Sequence, residues 1–216
     1  MQSLTEAVFR LSPPGGLFDD SVVRTLFPSA SQGARKQLVH RALEHREVIR
    51  LKPGLYVLAP DYRKSQPHPF VVASLLHAPS HVSLESALSY HGLIPEAVFQ
   101  VSSVTVDRSR SFRTPLGNFQ FYRVPCAHPR AGVVAEKLND DAWAFVASPL
   151  RSIADLVYLR KEISWRNGLQ FLTESMRIDE EDLRTLPLAE LDEVSDAIRD
   201  RRTARYLKQL GKELTI

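Results

Sequence analysis

The stretch VIRLKPGLYVLAP, residues 48–60, holds two apolar runs joined at Pro53-Gly54, with Arg50 and Lys52 on either side of Leu51. Proline presets φ for the second position of a turn, and glycine accepts the positive φ needed at the third. Lys52-Pro53-Gly54-Leu55 therefore reads as a type II turn closing a β-hairpin. Strand side chains alternate between faces, so Arg50 and Lys52, two residues apart, are predicted to leave the same face. Whether such a hairpin is only a sheet edge or an arm that reaches a phosphate backbone depends on what precedes it.

Three helical patterns precede it. LTEAVFRL, residues 4–11, is amphipathic and is ended by Ser12-Pro13-Pro14-Gly15-Gly16. Asp19 or Asp20 then caps SVVRTLF, whose Val22, Val23 and Leu26 form one apolar stripe before Pro28. In SASQGARKQLVHRALEHRE, Leu38, Val39, Ala42 and Leu43 share one face, and Lys36, Gln37, His40 and Arg41 share the opposite one. Three helices and a two-stranded hairpin are the order of a winged helix-turn-helix, whose third helix enters the major groove. Gln37 can hydrogen-bond a base edge in two places, Lys36 and Arg41 can neutralise phosphates or reach guanine, Arg35 can swing outward, and His40 can do either. A charged helix face is also what a solvated surface helix shows. The basic hairpin that follows tips the reading toward DNA, with Arg50 and Lys52 as phosphate contacts.

The 216 residues suffice for one large or two small domains, and 44% hydrophobic with 25% charged residues is the balance of an ordinary globular chain. The proline-rich, polar PDYRKSQPHP, residues 60–69, reads as a linker, dividing the chain into residues 1–64 and 65–216. Residues 1–64 carry ten Lys/Arg against six Asp/Glu, and residues 65–216 carry eighteen against nineteen. Positive charge thus gathers on the segment expected to meet a polyanion. No apolar run approaches the roughly 20 residues of a membrane-spanning helix, and MQSLTEAVFR lacks a signal-peptide pattern, so a cytoplasmic protein with no membrane partner is expected. Cys126 is the only cysteine, which excludes an internal disulfide or a cysteine-based metal site and suggests a buried bystander thiol.

After residue 69 the patterns mix. FVVASLLH (70–77) and a helix inside HVSLESALSYHGLIPE (81–96), capped at Ser83 and stopped at Gly92, precede strand candidates VSSVTVDR (101–108), NFQFYRV (118–124), GVVAEKL (132–138) and WAFVA (143–147). Arg108, Arg110 and Arg113 mark a basic loop or strand end. SPLRSIADLVYLRK (148–161) has Ser148 as cap and Pro149 at the first helical position. Beyond Trp165 the tail reads as helical throughout, with Asp179 capping IDEEDLRTL and Arg201, Arg205, Lys208 and Lys212 forming a cationic stripe beside Arg202. The expected fold class is α+β: an amino-terminal winged helix-turn-helix, then a mixed α/β domain to about residue 160 with a helical tail over 165–216.

Catalytic patterns are missing. There is no GxxxxGK[ST] loop, GxGxxG turn, GxSxG elbow or HExxH pair, so no enzyme, no catalytic residue and no cofactor is expected. His81 and Glu85, four apart, with His91 nearby could in principle place a metal pair on one helix turn or serve a hydrolase, but a two-ligand fragment is weak, so packing and capping are the expected roles and no metal site is expected. Asp140 and Asp141 read as a turn.

The runs REVIRLKPGLYVLAP, VSLESALSYHGLIPE and VASPLRSIADLVYL, in this order and spacing, resemble the AbiEi antitoxins of type IV (abortive-infection) toxin-antitoxin systems. The resemblance covers about residues 18–160, and its middle motif is the most specific. It implies a winged helix that binds inverted repeats in its own promoter and represses the operon. It also implies a carboxy-terminal domain that counteracts a nucleotidyltransferase-like toxin without a stable complex. By the same analogy Ser83, Glu85, Ser86 and His91 order a strand-helix junction. Where such proteins commonly show a Pro-Glu-Lys-Ala-like helix start, this chain has Pro149-Leu150-Arg151-Ser152, a change expected to retune the surface while keeping the helix. The alternative is a one-component winged-helix regulator whose second domain senses a ligand or a protein and has no antitoxin role.

Overall fold

The computed structural model describes residues 3–95, 99–138 and 142–215. Glu96 at the end of the middle motif, and the Asp140-Asp141 turn, lie outside the described residues. Helices and sheets are mixed in an α+β arrangement. The amino-terminal part holds α1 (Leu4–Leu11), β1 (Leu17–Asp19), α2 (Asp20–Leu26), α3 (Gln32–Glu44) and the hairpin of β2 (Val48–Lys52) and β3 (Leu55–Leu58). Its sheet has the antiparallel order β1-β3-β2. Strand β1 was not expected, because three residues between a glycine pair and a helix cap show no period. Asp19 is the cap of α2, accepting from the backbone N–H groups of Ser21 and Val22.

Central strand β3 is buried on both faces. Tyr56 and Leu58 join Val8, Phe18, Val23 and Val39 in a core beneath the helices. Leu55 and Val57 join Leu17 and Leu51 on the other face, together with Val72, Leu76, Phe119 and Phe121. Apolar packing therefore runs across residues 60–69, the stretch expected to be a linker.

The larger part holds α4 (Pro69–Leu76), β4 (His81–Val82), α5 (Leu84–Tyr90), β5 (Gln100–Thr105), β6 (Arg110–Thr114), β7 (Gly117–Arg123), β8 (Val133–Lys137), β9 (Trp143–Ala147) and α6 (Pro149–Leu159). Six strands pair in the order β6-β7-β5-β4-β9-β8, parallel at β5/β7 and β4/β9 and antiparallel elsewhere. Arg110 and Arg113, read as loop or strand end, lie within β6. The tail contains α7 (Glu180–Arg184), α8 (Leu191–Ala197) and α9 (Arg201–Leu214), but it is not helical throughout. Arg177 and Gly168 at positive φ and Pro187 at non-helical angles break it. Asp179 stands at the start of α7 without a side-chain capping bond. Among the described residues no helix is long and apolar enough to cross a membrane.

Helix α6 is buried from Leu150 through Val157. The departure at Leu150-Arg151-Ser152 is thus a core feature, not the surface change expected: all three side chains are 0% exposed. Arg151 Nε donates to Asp155 Oδ1 at 3.0 Å and Nη1 donates to the Ala131 carbonyl at 2.7 Å. Ser83 Oγ donates to Asp155 Oδ2 at 2.8 Å, and His81 Nε2 lies 3.5 Å from the same oxygen. Burial pushes the Asp155 carboxyl up, but the Arg151 charge and the bonds from His81 and Ser83 outweigh it and hold it below the usual carboxylate range.

A carboxyl depressed in the folded state stabilises at pH above its unfolded value, and that stabilisation is lost as pH falls through the folded value. Asp155→Asn leaves the Arg151 guanidinium buried without its counter-charge, at an expected cost of about 3–5 kcal/mol at neutral pH. Urea unfolding should show this gap narrowing below about pH 4, as the wild-type carboxyl loses its charge. Equal stability of the two proteins at neutral pH would contradict the role given to the pair.

Candidate nucleic-acid interface

Helix α3 starts at the Ser31 side chain, which accepts from Ala34 N at 3.2 Å. Val39 and Ala42 are buried, with Leu38 and Leu43 packed partly against the same core. This apolar face turns Lys36, Gln37, His40 and Arg41 outward, and all four are exposed. In the hairpin, Gly54 has φ +79°, the value its turn position requires. Asp20 N donates to the Gly54 carbonyl at 3.2 Å, and a Cβ at Gly54 would meet Asp20 Oδ2 at 3.1 Å. The turn is thereby fastened to the start of α2.

Between α2, α3 and the hairpin lies a groove of about 640 Å³. Its lining includes Arg24, Arg35, Lys36, His40 and Arg50, against the carboxylate of Asp20, the single one of the lining among the described residues. Arg50 lies with its guanidinium carbon 6.0 Å from the Tyr56 ring centroid. Arg35 is half-buried, and its Nη1 donates to the Phe27 carbonyl at 3.3 Å, so it is held along the groove wall and does not swing freely. His40 Nε2 is 3.2 Å from Glu44 Oε1 one turn on. Gln37 and Arg41 are exposed on α3 but are not part of the groove lining. Arg24 was missed by sequence reasoning, although it lies on the polar side of α2, opposite the stripe of Val22, Val23 and Leu26.

Lys52 does not share the face of Arg50. Arg50 pairs with Tyr56 and Lys52 with Leu55, so Leu51 is an extra residue on β2. Such a bulge breaks the alternation on which the sequence argument relied. Lys52 Nζ donates to the Leu76 carbonyl at the end of α4 at 2.8 Å. Desolvation, and then the charge of Arg110, lower its pKa.

His81, Glu85 and His91 do not converge. His81 meets Asp155, Glu85 pairs with Arg160, and His91 Nε2 lies 2.9 Å from the Ala147 carbonyl. Among the described residues no group of three or more His, Cys, Asp or Glu is placed to hold a metal ion. The middle motif instead ties α5 to its neighbours: Ser86 Oγ accepts from Ser102 N at 2.8 Å and donates to the Gln100 carbonyl at 3.2 Å. Ser83 precedes α5, but its hydroxyl engages Asp155 and makes no capping bond. Leu84 follows at φ 58°, a strained value for a branched side chain.

On α9, Arg201, Arg205, Lys208 and Lys212 are exposed as the spacing predicts. Arg202 turns the other way, donating to the carbonyls of Val157, Tyr158, Arg160 and Ile163, and so closes the carboxy-terminal end of α6. Neither a scan against protein-family models nor a search of curated proteins finds a match to the chain.

Lys36 and Lys52 should separate in a stability measurement. Lys52→Met removes the bond to the α4 carbonyl and should cost about 1–2 kcal/mol in urea unfolding. Lys36→Met, on the exposed face of α3, should stay within about 0.5 kcal/mol of wild type.

Proposed function

We propose that the amino-terminal part is a winged helix-turn-helix that binds duplex DNA, and that the protein is an AbiEi-type antitoxin acting as repressor of its own operon. One observation carries the DNA reading: Lys36 and His40 of the exposed α3 face and Arg50 of the hairpin line one groove, where Arg24 and Arg35 add positive charge against one carboxylate among the described residues. Lys36, Arg41, Arg24 and Arg50 are the phosphate contacts in this reading, while Gln37 and His40 face the base edges. Arg35 positions the start of α3. Lys52 has no part in contact with DNA.

The antitoxin role rests on the sequence resemblance. Inverted repeats in the promoter are the expected operator, and the toxin counteracted is nucleotidyltransferase-like, without a lasting complex. The protein would act in the cytoplasm, where both partners are found.

Neutralising on the order of four phosphates gives a slope of log K against log salt of about −3.6. Fluorescence anisotropy on the DNA upstream of its own gene should show that slope. Lys36→Ala and Arg50→Ala should each make it shallower by about 0.9, while Lys52→Ala leaves it unchanged. Salt-independent binding, or equal effects of all three substitutions, would reject the groove as the contact surface. Relief of growth inhibition on co-expression with an adjacent nucleotidyltransferase-like gene tests the antitoxin role separately.

A further inference from the structure

A second concavity, of about 870 Å³, opens between the end of α4, the strands β5, β8 and β9, and the segment that follows β7. Its walls are mainly apolar, formed by Val104, Val124, Val133 and Phe145. Its size is that of pockets that take small organic ligands. Two polar groups of the buried Asp155 network, Arg151 and His81, are part of the lining.

Arg151 is 0% exposed, and two of its nitrogens are engaged, by Asp155 and by the Ala131 carbonyl. Its third nitrogen, Nη2, is buried without a hydrogen-bond partner. Buried charged donors are rarely left unmade, because the desolvation cost then has nothing to offset it. Cys126 lies beside the guanidinium and, after Asp155, supports its charge through proximity and a weak hydrogen-bond contact, but the sulfur, a poor acceptor, falls outside hydrogen-bonding geometry at Nη2. With a small shift of the lining, an acceptor reaching Arg151 from the cavity would complete the fork.

Charge narrows the ligand class. At the mouth, the Arg130 guanidinium carbon lies 5.3 Å from the Phe145 ring centroid, and Glu193 is the one carboxylate of the lining among the described residues. Inside, Asp155 already balances Arg151. A single further negative charge can be matched by Arg130, whereas a multiply charged phosphate ester would exceed it and waste the apolar walls.

We propose that this cavity binds a small organic monocarboxylate, its carboxylate accepting from Arg151 Nη2 and its hydrocarbon part lying against Val104, Val124, Val133 and Phe145. Binding is read on the protein alone, so the proposal stands or falls independently of the DNA reading. It adds a small-molecule site in a part of the chain distant in sequence from the basic groove.

Ligand-observed NMR and calorimetry on the full chain, with hexanoate, octanoate, benzoate and phenylbutyrate against their matched alcohols, test it. At least one acid should bind with a Kd of about 1 mM or tighter, and about tenfold more tightly than its alcohol. Ala127→Trp, which puts bulk at an exposed position of the cavity wall, should abolish that binding with the fold intact by circular dichroism. Arg151→Lys, which keeps the charge but loses the planar fork, should weaken it by about tenfold or more. If Arg151→Lys does not fold, the acid-alcohol comparison and Ala127→Trp decide alone. No acid bound, acids and alcohols bound alike, or binding retained in Ala127→Trp would overturn the proposal.

Discussion

Strand β3 has no face open to water, and that constraint organises the amino-terminal part of the molecule. Tyr56 and Leu58 complete the core under α1, α2 and α3, while Leu55 and Val57 complete the one against α4 and β7. Burying side chains of this size contributes about 1.5–3 kcal/mol each, as an upper bound. The hairpin is therefore a clamped element whose two sides have separate tasks. Whatever it offers to a partner must come from its rim and from the one exposed position over Tyr56, where Arg50 sits.

The division of the basic residues follows from that clamping. The bulge at Leu51 turns Lys52 toward α4, where its ammonium closes an open carbonyl at the helix end. Arg50 stays on the helix side and joins Arg24, Arg35 and Lys36 around one groove. A similar division occurs at the other end of the chain. Arg202 is drawn inward to four backbone carbonyls, while Arg201 and Arg205 beside it remain in solvent. In both places a cation adjacent to helix-terminal carbonyls satisfies the backbone and leaves the surface charge pattern that spacing alone describes.

The larger part is held by a different kind of contact. Asp155, on a helix buried through most of its length, gathers Arg151, Ser83 and His81 and so joins α6 to β4 and the start of α5. The pair is worth having only as a unit, since either charge alone would be buried without compensation. Its geometry also explains why Ser83 stands where a cap is expected and does not act as one.

Sequence alone determined the helices through α6 and most strands. Apolar period, capping residues such as Ser31 and Ser148, and the Pro53-Gly54 turn are local signals, and the exposed face of α3 followed directly from them. β1 and β4 were not legible, since strands of two or three residues have no period and exist only because a neighbour pairs with them. Tertiary structure alone decided that Lys52 and Arg202 turn inward, that Arg24 joins the groove, and that the Leu150-Arg151-Ser152 start of α6 is core. The physical reason is common to all of these: the choice of partner for a long cationic side chain depends on which carbonyl, carboxylate or solvent lies within reach, and that is set by packing between segments distant in sequence.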